Sequence, residues 1–333
     1  MSSSLLRTLL RGTLDTGSAL GALSGHTDLI ELIWRKIQKR QLTHAVVELR
    51  GHRNHVYSLA ALADGRVVSG SYDHTLRVWD VTEPSGRCDL TLSGHSDCVY
   101  GVAALPDGRI LSVSLDKQLK VWDAKQGHCE ATLTGHTNWV HCVTGRTDGT
   151  ACTGSYDHTV RLWSIEEELC TAVLQGHTDA VLCLIELKDG RVVSGSADRT
   201  LRVWDTTTAQ CEGILCGHKG SIKCIARLGA QRIISGSADK TIRIWDMQHG
   251  STDVCIWEAS VDASVRCVLG LFDGRVVCGS GSDQYCLQVW ELSKGGHCVK
   301  TLLGHEGSVN SVVQLADGRV ATGSDDRTLQ VWG

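Results

Sequence analysis

Along most of the chain, apolar and polar residues alternate in runs of four to six, and the runs are punctuated by Asp-Gly. The block Val67-Val68-Ser69-Gly70-Ser71, followed by Thr75-Leu76-Arg77-Val78-Trp79-Asp80, is one instance; Val192 to Ser196 followed by Thr200 to Asp205 is another. A period of two in Val, Ile and Leu, broken by a dipeptide that tolerates positive φ, predicts short antiparallel strands joined by tight turns. The turns are placed at Asp64-Gly65, Asp107-Gly108, Asp148-Gly149, Asp189-Gly190, Asp273-Gly274 and Asp317-Gly318, with Gly229-Ala230 standing in once. Only residues 28–40 carry a helical period. There Ile30, Ile33, Trp34 and Ile37 fall on one face, Asp28 and Glu31 form a capping-box-like start, and Arg35, Lys36, Lys39 and Arg40 cluster at the end.

The strand pattern is a repeat. Trp79, Trp122, Trp163, Trp204, Trp245, Trp290 and Trp332 are spaced by 43, 41, 41, 41, 45 and 42 residues. Asp follows four of them (Asp80, Asp123, Asp205 and Asp246), and a Gly-His dyad lies upstream in six of seven units, at His52, His95, His136, His177, His218 and His305. This period and signature resemble the WD40 family over residues 51–333. The resemblance implies an all-β fold, a seven-bladed propeller with four strands per blade. A single blade cannot bury both of its faces, so the blades must close into a ring. The last unit reaches only its third strand at Gly333, while residues 45–49 match the outer-strand phase. That segment is expected to pair with the last blade and remove the open edges. The expected organisation is an N-terminal extension, 1–42, and a propeller, 43–333.

Each good unit also holds Asp, His, a hydroxyl and Trp at fixed spacing. Beside the His and Trp series stand Asp73, Asp116, Asp157, Asp198, Asp239 and Asp326, and the hydroxyls Ser69, Ser112, Thr153, Ser194, Ser235 and Thr322. Ser, His and Asp together suggest a hydrolase. Six copies argue instead for a buried hydrogen-bond network that ties turn, strand and indole N–H, which the resemblance also implies. The sixth unit departs as a whole, with Ser260-Val261 at the dyad, Cys278 at the hydroxyl and a longer turn at residues 280–284. It is expected to be the blade that opens most easily.

In this family the top face, around the channel mouth, is where partners meet. Spacing places His55, Tyr72, Leu115, Trp139 and Tyr156 there in blades 1 to 3, with Arg53 alongside. Blades 4 and 5 present the small residues Ala180, Ala197, Ser221 and Ala238. Blades 6 and 7 present Asp262, Asp283, Glu306 and Asp325. An aromatic crescent facing an acidic arc suits a peptide, anchored by desolvated rings and selected for Lys or Arg. The leading expectation is therefore a non-catalytic scaffold or adaptor for a protein or peptide ligand, with a place in a multiprotein complex. A substrate-recognition subunit of a ubiquitin ligase is the alternative within binding, although no F-box-like helical module is evident. A propeller hydrolase is the alternative of another class.

Composition narrows the partners. Lys plus Arg number 33 against 37 Asp plus Glu, a net charge of −4, which excludes a broad basic surface for nucleic acid. No stretch approaches the ~18 apolar residues of a membrane helix. The 15 Cys contain no Cys-x-x-Cys pair, so neither a metal nor a cofactor is expected. They recur with the repeat: Cys88, Cys129, Cys170, Cys211 and Cys298 form one set, and Cys98, Cys142, Cys183, Cys224 and Cys267 a second. They read as small buried hydrophobes in a reducing compartment, cytoplasm or nucleus. Residues 1–24, rich in Ser, Leu and Arg, resemble an organelle transit peptide, though a tail or short cap helix is the preferred reading.

Overall fold

A computed structural model describes residues 42, 44–82, 85–247, 255–281, 285–292 and 295–333. The helix expected over 28–40, the segment 1–24 and Asp283 lie outside the described residues. The rest is seven antiparallel four-stranded sheets, and the expected all-β seven-bladed propeller is the fold observed. Blade 4 shows the plan: Val181–Glu186 innermost, then Val192–Ser196, Leu201–Asp205 and Gln210–Leu215 outermost. The other innermost strands are Val56–Ala61, Val99–Ala104, Val140–Gly145, Ile222–Leu228, Val265–Gly270 and Val309–Gln314. Each packs on the next, and the seventh packs on the first. In blade 7 the outer strand is Ala45–Arg50, paired antiparallel with Thr328–Trp332. Two distant parts of the chain thus share one sheet.

Burial follows position in the blade. The second strands, such as Val192–Ser196, are buried at every residue, save Arg232 at the start of the blade 5 strand, because neighbouring blades cover both faces. The outermost strands, such as Gln210–Leu215, alternate because one face meets water. Each core lies between blades. Trp204 of blade 4, for example, sits in a cluster with Val160, Leu162 and Leu174 of blade 3.

The spacing between blades is set by paired small residues. On the second strand, Gly154, Gly195, Gly236 and Gly279 face Cys142, Cys183, Cys224 and Cys267. A Cβ on Gly195 would lie 2.6 Å from Cys183 Sγ and 2.9 Å from Ile222 of the next blade, so glycine is required there. Blade 2 reverses the pair: Val113 occupies the glycine position, and Gly101 faces it. This corrects the cysteine phasing. Gly101, not Cys98, holds the place equivalent to Cys142. Cys98 lies earlier, in the loop, where its backbone N–H donates to Asp97 Oδ1.

Every innermost strand carries a β-bulge near its start. The ladder skips one residue there, as between Val181 and Cys183 and in the other six blades. The skipped residues are Tyr57, Tyr100, His141, Leu182, Lys223, Arg266 and Asn310. A bulge re-aims its side chain, and these seven side chains line one central cavity of about 430 Å³.

Candidate functional site

The repeated tetrad closes in six blades. His Nδ1 lies 2.7–2.9 Å from Asp Oδ2 in each pair. His Nε2 lies 2.7–2.8 Å from the Ser or Thr oxygen. The Trp indole N–H donates to that same oxygen at 2.7–2.8 Å. One proton assignment satisfies all of it with a neutral imidazole: Trp N–H donates to the hydroxyl oxygen, the hydroxyl to Nε2, and Nδ1–H to the carboxylate. The carboxylate also accepts the backbone N–H of the residue after His, as from Thr178 to Asp198 at 3.1 Å. Its other oxygen accepts from the strand beyond, as from Thr200 N and Oγ1 to Asp198. Each tetrad therefore fixes the loop between blades and the turn between the middle strands.

Electrostatics agree with this closed circuit. Burial alone would raise Asp198, but the bonds from His177 and Thr200 outweigh it and hold the acid well below the usual carboxylate range. Asp73, Asp157, Asp239 and Asp326 are lowered in the same way, as is Asp116. Burial also lowers His136 and His218 despite their acid partners, which favours the neutral ring. The hydroxyls have no exposed surface and already accept an indole N–H. No substrate can reach a nucleophile in these triads.

Blade 6 lacks the circuit among its described residues. Val261 replaces His and packs in the apolar core with Trp290. Trp290 Nε1 is buried without an oxygen acceptor, and only the Cys278 sulfur is near it. Cys278 offers only a weak sulfur acceptor, and its own thiol is directed at Gln288 Oε1, 3.8 Å away.

The residues expected on the top face separate into groups. Trp139 and Tyr72 are exposed, at 45% and 40%, whereas six of the seven repeat tryptophans are at most 2% exposed. Tyr156, Leu115 and His55 are half-buried, and Arg53, Asp262 and Glu306 are exposed. Asp325 is already engaged: its Oδ1 accepts from Asn310 Nδ2 at 2.7 Å and lies 3.3 Å from His55 Nδ1. Asp326 belongs to its tetrad.

The aromatic residues form a longer series than the top-face positions alone suggested. His55 and Tyr57 each contact Tyr72, Tyr57 stacks on Tyr100 at 4.2 Å, and Tyr100 meets His141 at 4.8 Å. His141 then meets Tyr156, which meets Trp139 edge-on at 5.4 Å. Three of these rings (Tyr57, Tyr100 and His141) are bulge residues that sequence reasoning did not single out. Their signal was present: each stands five residues after the His of its dyad. His141 is wedged into this ladder and donates from Nδ1 to Leu182 O at 2.9 Å. Burial pushes it down to about 4, so it is neutral at physiological pH.

The model of the WD domain, G-beta repeat, matches residues 44–80, 86–123, 127–164, 168–205, 209–246 and 296–333, more than half of the chain. The chain belongs to the WD40 family. The unmatched stretch contains the inner three strands of blade 6, where the tetrad is missing but the WD40 blade still forms. Among curated relatives, a periodic tryptophan protein 2 homolog of Schizosaccharomyces pombe is 35% identical over 60 residues, 18% of this chain and 7% of that protein. A guanine nucleotide-binding protein subunit beta of rice, Oryza sativa subsp. indica, is 41% identical over 54 residues, 16% of this chain and 14% of its own length. The chain thus spans only a small part of the relatives it matches. Among the described residues of this WD40 protein, no helix is long and apolar enough to cross a membrane.

Proposed function

We propose that this propeller is a non-catalytic scaffold whose top face binds a segment of a partner protein, with Trp139 and Tyr72 as anchors. The single observation that carries this is the exposure of these two rings at either end of a fixed aromatic ladder. Exposed aromatic surface held rigid by neighbours gains desolvation energy with little entropy cost, the usual character of an interface hot spot. Tyr156 supports Trp139 from below, and Leu115 and His55 extend the apolar arc. Asp262 and Glu306, on the far rim, are the acids left to pair with a basic residue of the ligand. WD40 propellers generally serve as such platforms, and the rice relative is by name a subunit of a larger protein. The fifteen free thiols, several raised by burial, support a reducing compartment, cytoplasm or nucleus.

The test is a quantitative affinity purification with wild type, Trp139→Ala, Tyr72→Ala and the rim control Leu169→Ala side by side. Melting temperatures should stay within a few degrees, because exposed truncations cost little. Partners should be lost from the two top-face variants and kept by the control. Identical partner sets for all four proteins would remove the reading.

A further inference from the structure

The central cavity is lined unevenly. One wall carries Tyr57, Tyr100 and His141, locked by ring contacts. The opposite wall carries two cations, Lys223 and Arg266, on adjacent blades. Arg266 donates to Asn310 Oδ1 at 3.0 Å, a neutral acceptor. Among the described residues, neither cation has a carboxylate partner, and no Asp or Glu lines the cavity. Both side chains are exposed to solvent, and in a chain whose net charge is −4 they form a pair of neighbouring cations with no carboxylate among the cavity's lining residues.

The bulges explain how the cations come to face the axis. A regular strand would hold residues 223 and 266 in the ladder; the skipped register turns them into the cavity instead. The arrangement also carries a cost. Surrounding protein and the neighbouring Arg266 charge both hold Lys223 below the ordinary lysine range. A bound anion would relieve that repulsion and form charge-assisted hydrogen bonds to both groups.

We propose that the central cavity is a binding site for a carboxylate or phosphate group, held between Lys223 and Arg266 and bounded on the far side by the Tyr57–Tyr100–His141 wall. Its volume of about 430 Å³ fits a small molecule, and it opens among residues of all seven blades. The cavity shares Tyr156 with the aromatic ladder but is lined by neither Trp139 nor Tyr72, and the contacts assigned to Lys223 and Arg266 do not depend on a top-face partner.

The experiment is titration calorimetry of the full chain with inorganic phosphate, citrate and N-acetyl-aspartate amide. The first two represent a free molecule, and the third represents an acidic side chain of a bound peptide. Saturable binding of at least one probe is expected, weakened about tenfold or more by Lys223→Met and by Arg266→Met, since each removes one charge-assisted contact. Lys223→Arg should restore binding, and the exposed Lys219→Met should not affect it. Binding of phosphate or citrate alone assigns a free anion; binding of the aspartate amide alone assigns an acidic residue of a partner. Absence of saturable binding by all three probes, or equal weakening by Lys219→Met, overturns the proposal. Trp139→Ala should bind the anion normally, so failure of this site and failure of the top-face reading are distinguishable.

Discussion

Blades 4 and 6 have the same four strands and the same central tryptophan, yet they solve one problem in opposite ways. Blade 4 buries His177, Ser194 and Asp198 and satisfies each with a partner. Blade 6 replaces two of these positions with Val261 and Cys278 and lets apolar packing fill the space. Both form a blade. The tetrad is therefore not what makes a sheet of this shape; strand pattern and interblade packing suffice. What the tetrad adds is a fixed loop and a fixed turn on the top face, through the carboxylate bonds to Thr178 and Thr200. In blade 6 the histidine and the hydroxyl are lost together while Trp290 stays for packing, and its indole N–H no longer has the hydroxyl acceptor found in the other blades.

The sharpest way to break the comparison is to leave blade 4 with half a circuit. Asp198→Ala strips His177 Nδ1 of its acceptor and frees Thr178 and Thr200. Leaving buried partners unpaired should cost about 2–4 kcal/mol. Val261→Ala in blade 6 removes only part of an apolar side chain and should cost ~1–2 kcal/mol. Urea unfolding midpoints of the two variants decide this. The double variant His177→Ala with Asp198→Ala should lose less than the sum of the singles, since both changes break one network. Strict additivity would show that the members act independently.

Acid separates the blades next. A group whose pKa is lowered on folding stabilises the protein above its unfolded value and loses that contribution as pH falls towards the folded value. His141, with His136 and His218, has a lowered value, so stability should be full above pH 6.5 and decline below it. For His141 the decline ends near pH 4 and amounts to at most about 3.5 kcal/mol, at about 1.4 kcal/mol per unit. The lowered acids of the tetrads, Asp198 among them, add a second decline below the ordinary carboxylate value of 3.8. Midpoints measured from pH 8 to pH 3 should show both, and His141→Phe should flatten the first. An unchanged midpoint between pH 7 and pH 5 would contradict the assignment of a neutral His141.

The same contrast explains what was legible in the residues alone. Strand order, turns, blade number and tetrad members recur at a fixed spacing, and repetition reveals them without coordinates. The ring formed by Tyr57, Tyr100, His141, Leu182, Lys223, Arg266 and Asn310 also recurs in position, but its chemistry changes from blade to blade. It also sits at the bulge, where period-two alternation stops, so the pattern that reveals the strand conceals the residue turned towards the axis. Asp325 shows a further limit. Spacing placed it on an acidic rim, whereas it contacts a bulge residue of its own blade, Asn310, and His55 of the first blade, far away in sequence.

The smallest effect is the most informative about blade 6. Cys278→Ser introduces a hydroxyl at the position where the six other blades place one. Trp290 Nε1, now buried with only a weak sulfur acceptor near it, would gain an oxygen acceptor, and the new O–H can donate to Gln288 Oε1, which already lies 3.8 Å from the sulfur it replaces. A buried hydrogen bond is worth about 1 kcal/mol net, against which stands the loss of a slightly larger apolar atom. The expected result is a gain of ~0.5–1 kcal/mol in urea unfolding, with slower amide exchange across Val276–Ser280 and Leu287–Glu291. The restored bond needs no histidine, since Val261 stays in place. A gain would therefore show that the Trp–hydroxyl contact stabilises a blade by itself. A loss would show that the Trp–hydroxyl contact stabilises a blade only within the complete chain from Trp to Asp.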